Sequence, residues 1–169
     1  MNTDNLTIQQ LLDNLEQQLK QTIIDRQLKQ PLIIGIRTGG VWIAQWLHES
    51  LGITEPLGML DISFYRDDFS QSGMHPNVKP SYLPTDIEDR DLILVDDVFY
   101  TGRTIRAALN EIFDYGRPRQ VILATLVQRN GKQIPLQPDC VGATMHIAAN
   151  QRIKLSNDPL HIYLETRPS

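Results

Sequence analysis

The sequence predicts an α/β fold, a central, mostly parallel sheet flanked by helices. Three observations predict it. Short and nearly unbroken apolar runs at residues 32–36 (LIIGI), 91–96 (DLILVD) and 120–127 (QVILATLV) have the composition of strands buried on both faces. Two of these runs lead through a glycine-containing turn into a segment of helical periodicity. Strands that alternate with helices build a parallel sheet covered on both sides, and such sheets take ligands at the carboxyl ends of their strands.

The chain opens on a helix. Ile8, Leu11, Leu12, Leu15, Leu19 and Ile23 recur at helical spacing, Thr7 with Gln10 forms a capping box, and Pro31 stops whatever precedes it. After the strand at 32–36 come Arg37-Thr38-Gly39-Gly40 and then a helix over about residues 41–51, stopped by Gly52. On it Trp42 and Trp46, four residues apart, share a face and read as core or subunit contact rather than as a stacking platform. Residues 57–65 read as a strand. Residues 66–84 hold Gly73, Pro76, Pro80 and Pro84 and read as a long irregular loop, of the kind that is functional or mobile in compact domains. The strand at 91–96 is followed by a turn, a helix over residues 103–115 ending at Gly116, and the strand at 120–127. Shorter apolar runs follow around Val141, Ile153 and residues 161–164.

A length of 169 residues suits one domain, residues 1–169, with a sizeable core; 41% hydrophobic and 21% charged residues argue against disorder. The single cysteine, Cys140, excludes an intramolecular disulfide and a cysteine-based zinc site. His48, His75, His146 and His161 form no metal-ligand pattern. The polar N-terminus and the lack of an apolar run of about 18 residues lead us to expect a cytoplasmic protein. The net charge of −4 argues against non-specific nucleic-acid binding. The charge is uneven: residues 1–115 hold 9 Lys and Arg against 17 Asp and Glu, and residues 116–169 hold 7 against 3, so any surface for phosphates belongs to the last third.

The segment with most chemistry is residues 92–104, LILVDDVFYTGRT. Asp96 and Asp97 stand where a buried strand leaves the core, and Thr101, Gly102 and Thr104 precede a helix. A helix start offers free N–H groups and the positive end of the dipole to an anion, and Gly102 lets the backbone come close to it. Donors for a phosphate therefore lie a few residues from acceptors for hydroxyls, the arrangement a ribose 5-phosphate requires. Neither a Walker A loop nor a G-x-G-x-x-G fingerprint is present.

This segment resembles the diphosphoribose-binding signature of the type I phosphoribosyltransferases. With ISFYRDD (residues 62–68), GRP (116–118) and LVQRNGKQIP (126–135), the chain is similar to the PyrR family, uracil phosphoribosyltransferases that in some bacteria regulate pyrimidine operons by binding mRNA. The resemblance runs from about residue 32 to 142. It implies the type I phosphoribosyltransferase fold, with a mobile active-site loop and a small hood. It implies that Asp96 and Asp97 bind the ribose hydroxyls and that Val98, Phe99, Tyr100, Thr101, Gly102, Arg103 and Thr104 wrap the 5-phosphate. Arg37, Thr38 and Gly39 fall where the family binds pyrophosphate. Arg66 opens the active-site cover and reaches the same group, Arg129 matches a substrate-binding arginine, and Ile153 lies near the base. The implied partners are uracil, phosphoribosyl diphosphate, UMP and Mg²⁺ carried mainly by the substrate, in a homodimer or larger assembly. Asp96, Asp97 and Arg66 would be the catalytic groups.

The sequence departs from the family pattern where Thr38-Gly39-Gly40 replaces Thr-Arg-Gly, where Gln128 replaces an Asp, at Gly131-Lys132, and over residues 146–151. RNA-binding members carry bases on the first helix; here that helix offers Gln9, Gln10, Asp13, Asn14, Glu16, Gln17 and Gln18, a face that would repel phosphates. Arg117, Arg119, Lys132, Arg152 and Lys154 keep basic character in the tail. Three readings stay open at this point: a uracil phosphoribosyltransferase, a UMP-sensing regulator that binds mRNA, and a purine-type salvage enzyme.

Overall fold

Helix α1, Ile8–Asp25, starts as its sequence dictates: Thr7 Oγ1 accepts the Gln10 N–H at 3.2 Å, and Gln10 Oε1 accepts the Thr7 N–H at 2.8 Å. The computed structural model describes residues 7–62 and 81–169. The remaining elements are β1 (Leu32–Ile36), α2 (Gly39–Ser50), β2 (Gly58–Leu60), β3 (Asp91–Phe99), α3 (Arg103–Tyr115), β4 (Gln120–Arg129), β5 (Cys140–Met145), β6 (Gln151–Ser156) and β7 (His161–Thr166). Five strands form one parallel sheet in the order β2-β1-β3-β4-β5, and β6 and β7 form a separate antiparallel pair, the small hood.

The strand period of two divides the core between the two faces of the sheet. Ile33, Ile93, Val95 and Ile122 meet Leu11, Leu15, Leu19, Ile43 and Leu47 of α1 and α2. Leu32, Ile34, Leu92, Leu94 and Leu123 meet Ile105, Ala108 and Ile112 of α3. The hood joins the first cluster through Ile153 and Leu155. Gly142 is required where β5 passes under α1, because a Cβ there would lie 2.4 Å from the Leu126 carbonyl and 2.7 Å from that of Leu11.

Four boundaries differ from the sequence expectation. The strand expected over 57–65 is three residues long, since β1 ends at Ile36 and offers no ladder beyond Leu60; residues 63–65 lie outside the described residues. Of the loop expected over 66–84, residues 66–80 also lie outside them, and Tyr82 forms an antiparallel bridge with Met59, bonding at 2.7 and 2.8 Å. Strands β3 and β4 run on to Phe99 and Arg129, because Val98 and Phe99 continue to pair with Val127 and Gln128. Helix α2 begins at Gly39, so the two glycines are its first turn rather than a loop before it.

The polar face of α1 has a structural task that its composition conceals. Gln18 Nε2 donates to the Val141 carbonyl at 2.8 Å, Gln18 Oε1 accepts the Val141 N–H at 3.0 Å, and Asn14 Nδ2 donates to the Gly142 carbonyl at 3.3 Å. These amides satisfy the outer edge of β5, which would otherwise be open to another strand.

At the amino end of β3, opposite the ligand end, Asp91 is 1% exposed and fastens three segments. It accepts the Lys29 N–H at 2.7 Å, Arg119 Nε at 2.8 Å and Gln120 Nε2 at 3.3 Å. Arg119, one of the tail cations, is thereby engaged in the fold. Burial alone would raise the Asp91 carboxyl, but the bonds from Arg119, Lys29 and Gln120 together hold it below the usual carboxylate value. The stabilisation is therefore present above about pH 4, the unfolded value, and disappears as pH falls through the folded value. Asp91→Ala is expected to cost about 2–4 kcal/mol at neutral pH, for the loss of a buried, charge-assisted acceptor of several bonds. Urea unfolding across pH checks it: the variant should show a shallower acid limb, and an unchanged limb would contradict the assignment.

Candidate functional site

The site stands where the chain changes direction across the sheet. Strands β1 and β3 are neighbours, yet α2 leaves β1 toward one face and α3 leaves β3 toward the other. A crevice opens between the two connections at the carboxyl ends of the strands. A cavity of about 690 Å³ occupies it, a volume in the range of small-molecule sites.

Two carboxylates form one wall. Asp96 is buried and Asp97 half-buried. Asp96 Oδ1 accepts the Asp97 N–H at 2.9 Å and Asp97 Oδ1 accepts the Val98 N–H at 2.8 Å, so the backbone orients both groups. Gly39 and Gly40 explain how α2 comes so close. A Cβ on Gly39 would lie 2.3 Å from Asp97 Oδ2, and one on Gly40 2.6 Å from the Val95 carbonyl. The absence of a side chain at Gly39, a departure from the family pattern, is thus matched to the position of the Asp97 carboxylate.

Two helix starts face the same cavity. The N-cap of α2 is Thr38 and that of α3 is Gly102, and neither supplies a side-chain cap. The Val41 N–H donates to the Thr38 carbonyl and the Arg103 N–H to Thr101 Oγ1, which leaves the N–H groups of Gly39, Gly40, Thr104 and Ile105 as donors for an anion. Gly102 holds φ of 96° and lies against Ile134, 2.7 Å from where a Cβ would be. Thr101 Oγ1 accepts the Arg103 N–H at 3.2 Å, and the Thr101 carbonyl accepts the Gln133 N–H at 2.9 Å. Thr101 thus also shapes the loop.

The third wall comes from β4 and the hood. Arg129, 6% exposed, donates from Nη1 to the Gln151 carbonyl at 2.8 Å and from Nε to the Asn130 carbonyl at 3.3 Å. Its guanidinium carbon lies 3.9 Å from the centre of the Tyr100 ring, a cation–π contact. Gly131, at φ of 118°, lies against the same ring. Tyr100 and Arg129 therefore join the loop after β3 to β6. Gln128, another departure, is bonded by Gln137 at 3.2 Å.

Most of the residues singled out in the sequence meet here: Thr38, Gly39, Asp96, Asp97, Val98, Phe99, Tyr100, Thr101, Gly102, Thr104, Arg129 and Ile153 line the cavity. Arg37 does not; it is half-buried at the end of β1, and its N–H holds β2 through the Leu60 carbonyl at 2.9 Å. Arg103 is exposed and donates from Nε to Gln133 Oε1 at 3.2 Å, away from the lining. Arg66 lies outside the described residues. Sequence reasoning missed Trp42, Ile105, Arg152, Lys154, Leu155 and Arg167 in the lining. Trp42 was expected in a core or interface with Trp46. Trp46 does pack on the core, but Trp42, in the first turn of α2, faces the cavity. Arg152 and Lys154 alternate with Ile153 and Leu155, a signal of period two that was legible as strand but not as site.

Among the described residues, no three His, Cys, Asp or Glu gather to hold a metal ion, and no helix is long and apolar enough to cross a membrane. His48 bonds the Glu55 carbonyl at 2.7 Å, and His161 bonds Ser156.

A family model described as the phosphoribosyl transferase domain matches residues 2–156. A protein of Pseudomonas fluorescens named "Bifunctional protein PyrR" is 53% identical over 156 residues, covering 92% of this chain and 93% of its own. A protein of the same name from Nitrosococcus oceani is 51% identical over 164 residues, covering 95% and 93%. Among solved structures, a purine phosphoribosyltransferase from Pyrococcus horikoshii superposes with a TM-score of 0.64 at 25% identity, over 84% of this chain and 89% of its own. A hypoxanthine phosphoribosyltransferase from Staphylococcus aureus gives 0.67 at 18%, over 86% and 78%, a likeness of fold.

Proposed function

We propose, for a chain that belongs to the phosphoribosyl transferase family and to its PyrR group, that it transfers the phosphoribosyl group of phosphoribosyl diphosphate to uracil, giving UMP and pyrophosphate. One observation supports this most: two helix starts without side-chain caps and a pair of backbone-oriented carboxylates share a single cavity.

In this reading the N–H groups at the start of α3, with Thr101 and Thr104, hold the 5-phosphate. Asp96 and Asp97 accept from the ribose 2′ and 3′ hydroxyls, which fixes the anomeric carbon between the walls. Thr38 and Gly39, with the start of α2, receive the diphosphate. Arg129 and Ile153 flank the base. Arg66, in the segment outside the described residues, reaches the leaving group and helps to exclude water from a cationic sugar. The ring nitrogen of uracil forms its bond to the anomeric carbon as the bond to diphosphate breaks, and no protein nucleophile is needed. A Mg²⁺ would be carried mainly by the diphosphate oxygens, since this ion keeps several waters and takes few protein ligands; when bound, it would neutralise charge on the diphosphate. The protein would act in the cytoplasm as a homodimer or larger.

A regulator that senses UMP and binds mRNA is the competing reading, resting on the word "bifunctional" in the relatives' names. Two of the tail cations it would use are engaged otherwise, Arg119 on Asp91 and Lys132 on Gln137 Oε1, and Arg152 and Lys154 line the cavity. A panel of bases tests the function. Uracil with the diphosphate and Mg²⁺ should yield UMP, while adenine, hypoxanthine and orotate should react at least about 100-fold more slowly, because mismatched polar groups in a buried site are strongly rejected. Turnover of hypoxanthine without uracil would replace the reading by a purine-type one.

A further inference from the structure

The Arg129 guanidinium, at the end of β4, is fixed by three neighbours. The Gln151 and Asn130 carbonyls accept from Nη1 at 2.8 Å and from Nε at 3.3 Å, and the Tyr100 ring lies 3.9 Å from its central carbon and covers one face. Nη2 has no hydrogen-bond partner among the described residues, although Arg129 is only 6% exposed and lines the cavity. A donor left unpaired on a buried cation costs free energy until a ligand accepts from it. The guanidinium is a rigid planar fork, so the tilt of its plane sets where that donor points.

Tyr100 is fixed in turn. Gly131, at φ of 118°, backs its ring so closely that a Cβ would lie 2.4 Å from Tyr100 Cε2. The Gln133 N–H donates to the Thr101 carbonyl at 2.9 Å, and Ile134 packs on Gly102. Residues 131–134 are thus fastened to the loop between β3 and α3 at three successive positions. The Tyr100 hydroxyl makes no hydrogen bond among the described residues, so the side chain contributes its ring face and not its oxygen.

We propose that Tyr100 is a positioning residue: its ring sets the plane of the Arg129 guanidinium and ties that plane to the loop that receives the 5-phosphate. This rests on the reading that a phosphoribosyl group binds in the cavity. A phosphate on the start of α3 steadies the Tyr100 backbone, the ring steadies Arg129, and Nη2 is then held toward the part of the ligand beyond the sugar. The two ends of one ligand are bound cooperatively, and such coupling is reciprocal. Without the ring, the two carbonyls still hold Nη1 and Nε, but the exposed face of the guanidinium takes up water and its plane is free to tilt.

The test compares two ligands by calorimetric titration. UMP reaches both ends of the cavity, whereas ribose 5-phosphate reaches only the loop and the carboxylates. Tyr100→Leu should weaken UMP binding about 10-fold, the size of a desolvated cation–π contact, and weaken ribose 5-phosphate clearly less. Tyr100→Phe and Tyr100→Trp keep a ring and should restore most of the UMP affinity. Gly131→Ala, which displaces the ring without removing it, should reproduce the preferential loss. In an Arg129→Met background, Tyr100→Leu should add no further loss, because it acts through Arg129. Both ligands are titrated into the same preparation, so partial unfolding lowers the number of sites for each alike. Equal weakening of the two ligands, no weakening, or an additive loss in the double variant would overturn the inference, while wild-type uracil turnover leaves the functional reading standing. A wild-type protein that neither binds UMP nor consumes uracil overturns both.

Discussion

Replacing both carboxylates at the end of β3, Asp96→Asn with Asp97→Asn, is expected to lower kcat/KM about 1,000-fold while the protein stays folded. Asn keeps a side-chain oxygen that can still accept the Asp97 and Val98 N–H bonds, so the local geometry survives. What disappears is the charge on the acceptors facing the sugar. A hydrogen bond to a charged group contributes about 2 kcal/mol, and two of them lost from the transition state amount to about three factors of ten. Initial rates at saturating and limiting diphosphate, with a thermal melt as control, check this. A loss smaller than about 10-fold would remove these residues from the sugar site.

The second large effect concerns the phosphate loop. Gly102→Ala is expected to raise the KM for phosphoribosyl diphosphate at least about 100-fold and to destabilise the protein by about 2–5 kcal/mol, combining a left-handed backbone with a buried collision. At φ of 96° an L residue is strained, and its Cβ would meet Ile134 at 2.7 Å. Gly52 provides the contrast: φ is 64°, but a Cβ there meets nothing within 4 Å. Gly52→Ala should therefore cost only about 1 kcal/mol and leave KM unchanged. Similar KM values for the two variants would show that the conformation of Gly102 does not shape the anion site.

These two expectations rest on the part of the molecule that was most legible in the sequence. Buried parallel strands announce themselves as apolar runs, and the thirteen residues from 92 to 104 hold their functional groups within a few bonds of one another. Their geometry follows from one strand end and one helix start, so little tertiary information was needed. The hood was not legible as a site. Arg152, Lys154 and Arg167 line the same cavity as Asp96 although more than 50 residues separate them along the chain, because the antiparallel pair β6–β7 returns to the crevice. That Trp42 faces the cavity was not legible either, because helical periodicity places it beside Trp46 and is silent on where each end of the helix lies. The α1 glutamines posed the same problem in reverse: Gln18 reads as a solvated residue, and its bonds to Val141 depend on where the chain lays β5.

The orientation of the nucleotide is the core of the account, and a crystal structure with UMP bound measures it directly. The predicted result has the phosphate on the N–H groups at the start of α3, the ribose hydroxyls on Asp96 and Asp97, and the base between Arg129 and the hood. A phosphate lodged among Arg152, Lys154 and Arg167, with the sugar turned away from both carboxylates, would contradict it.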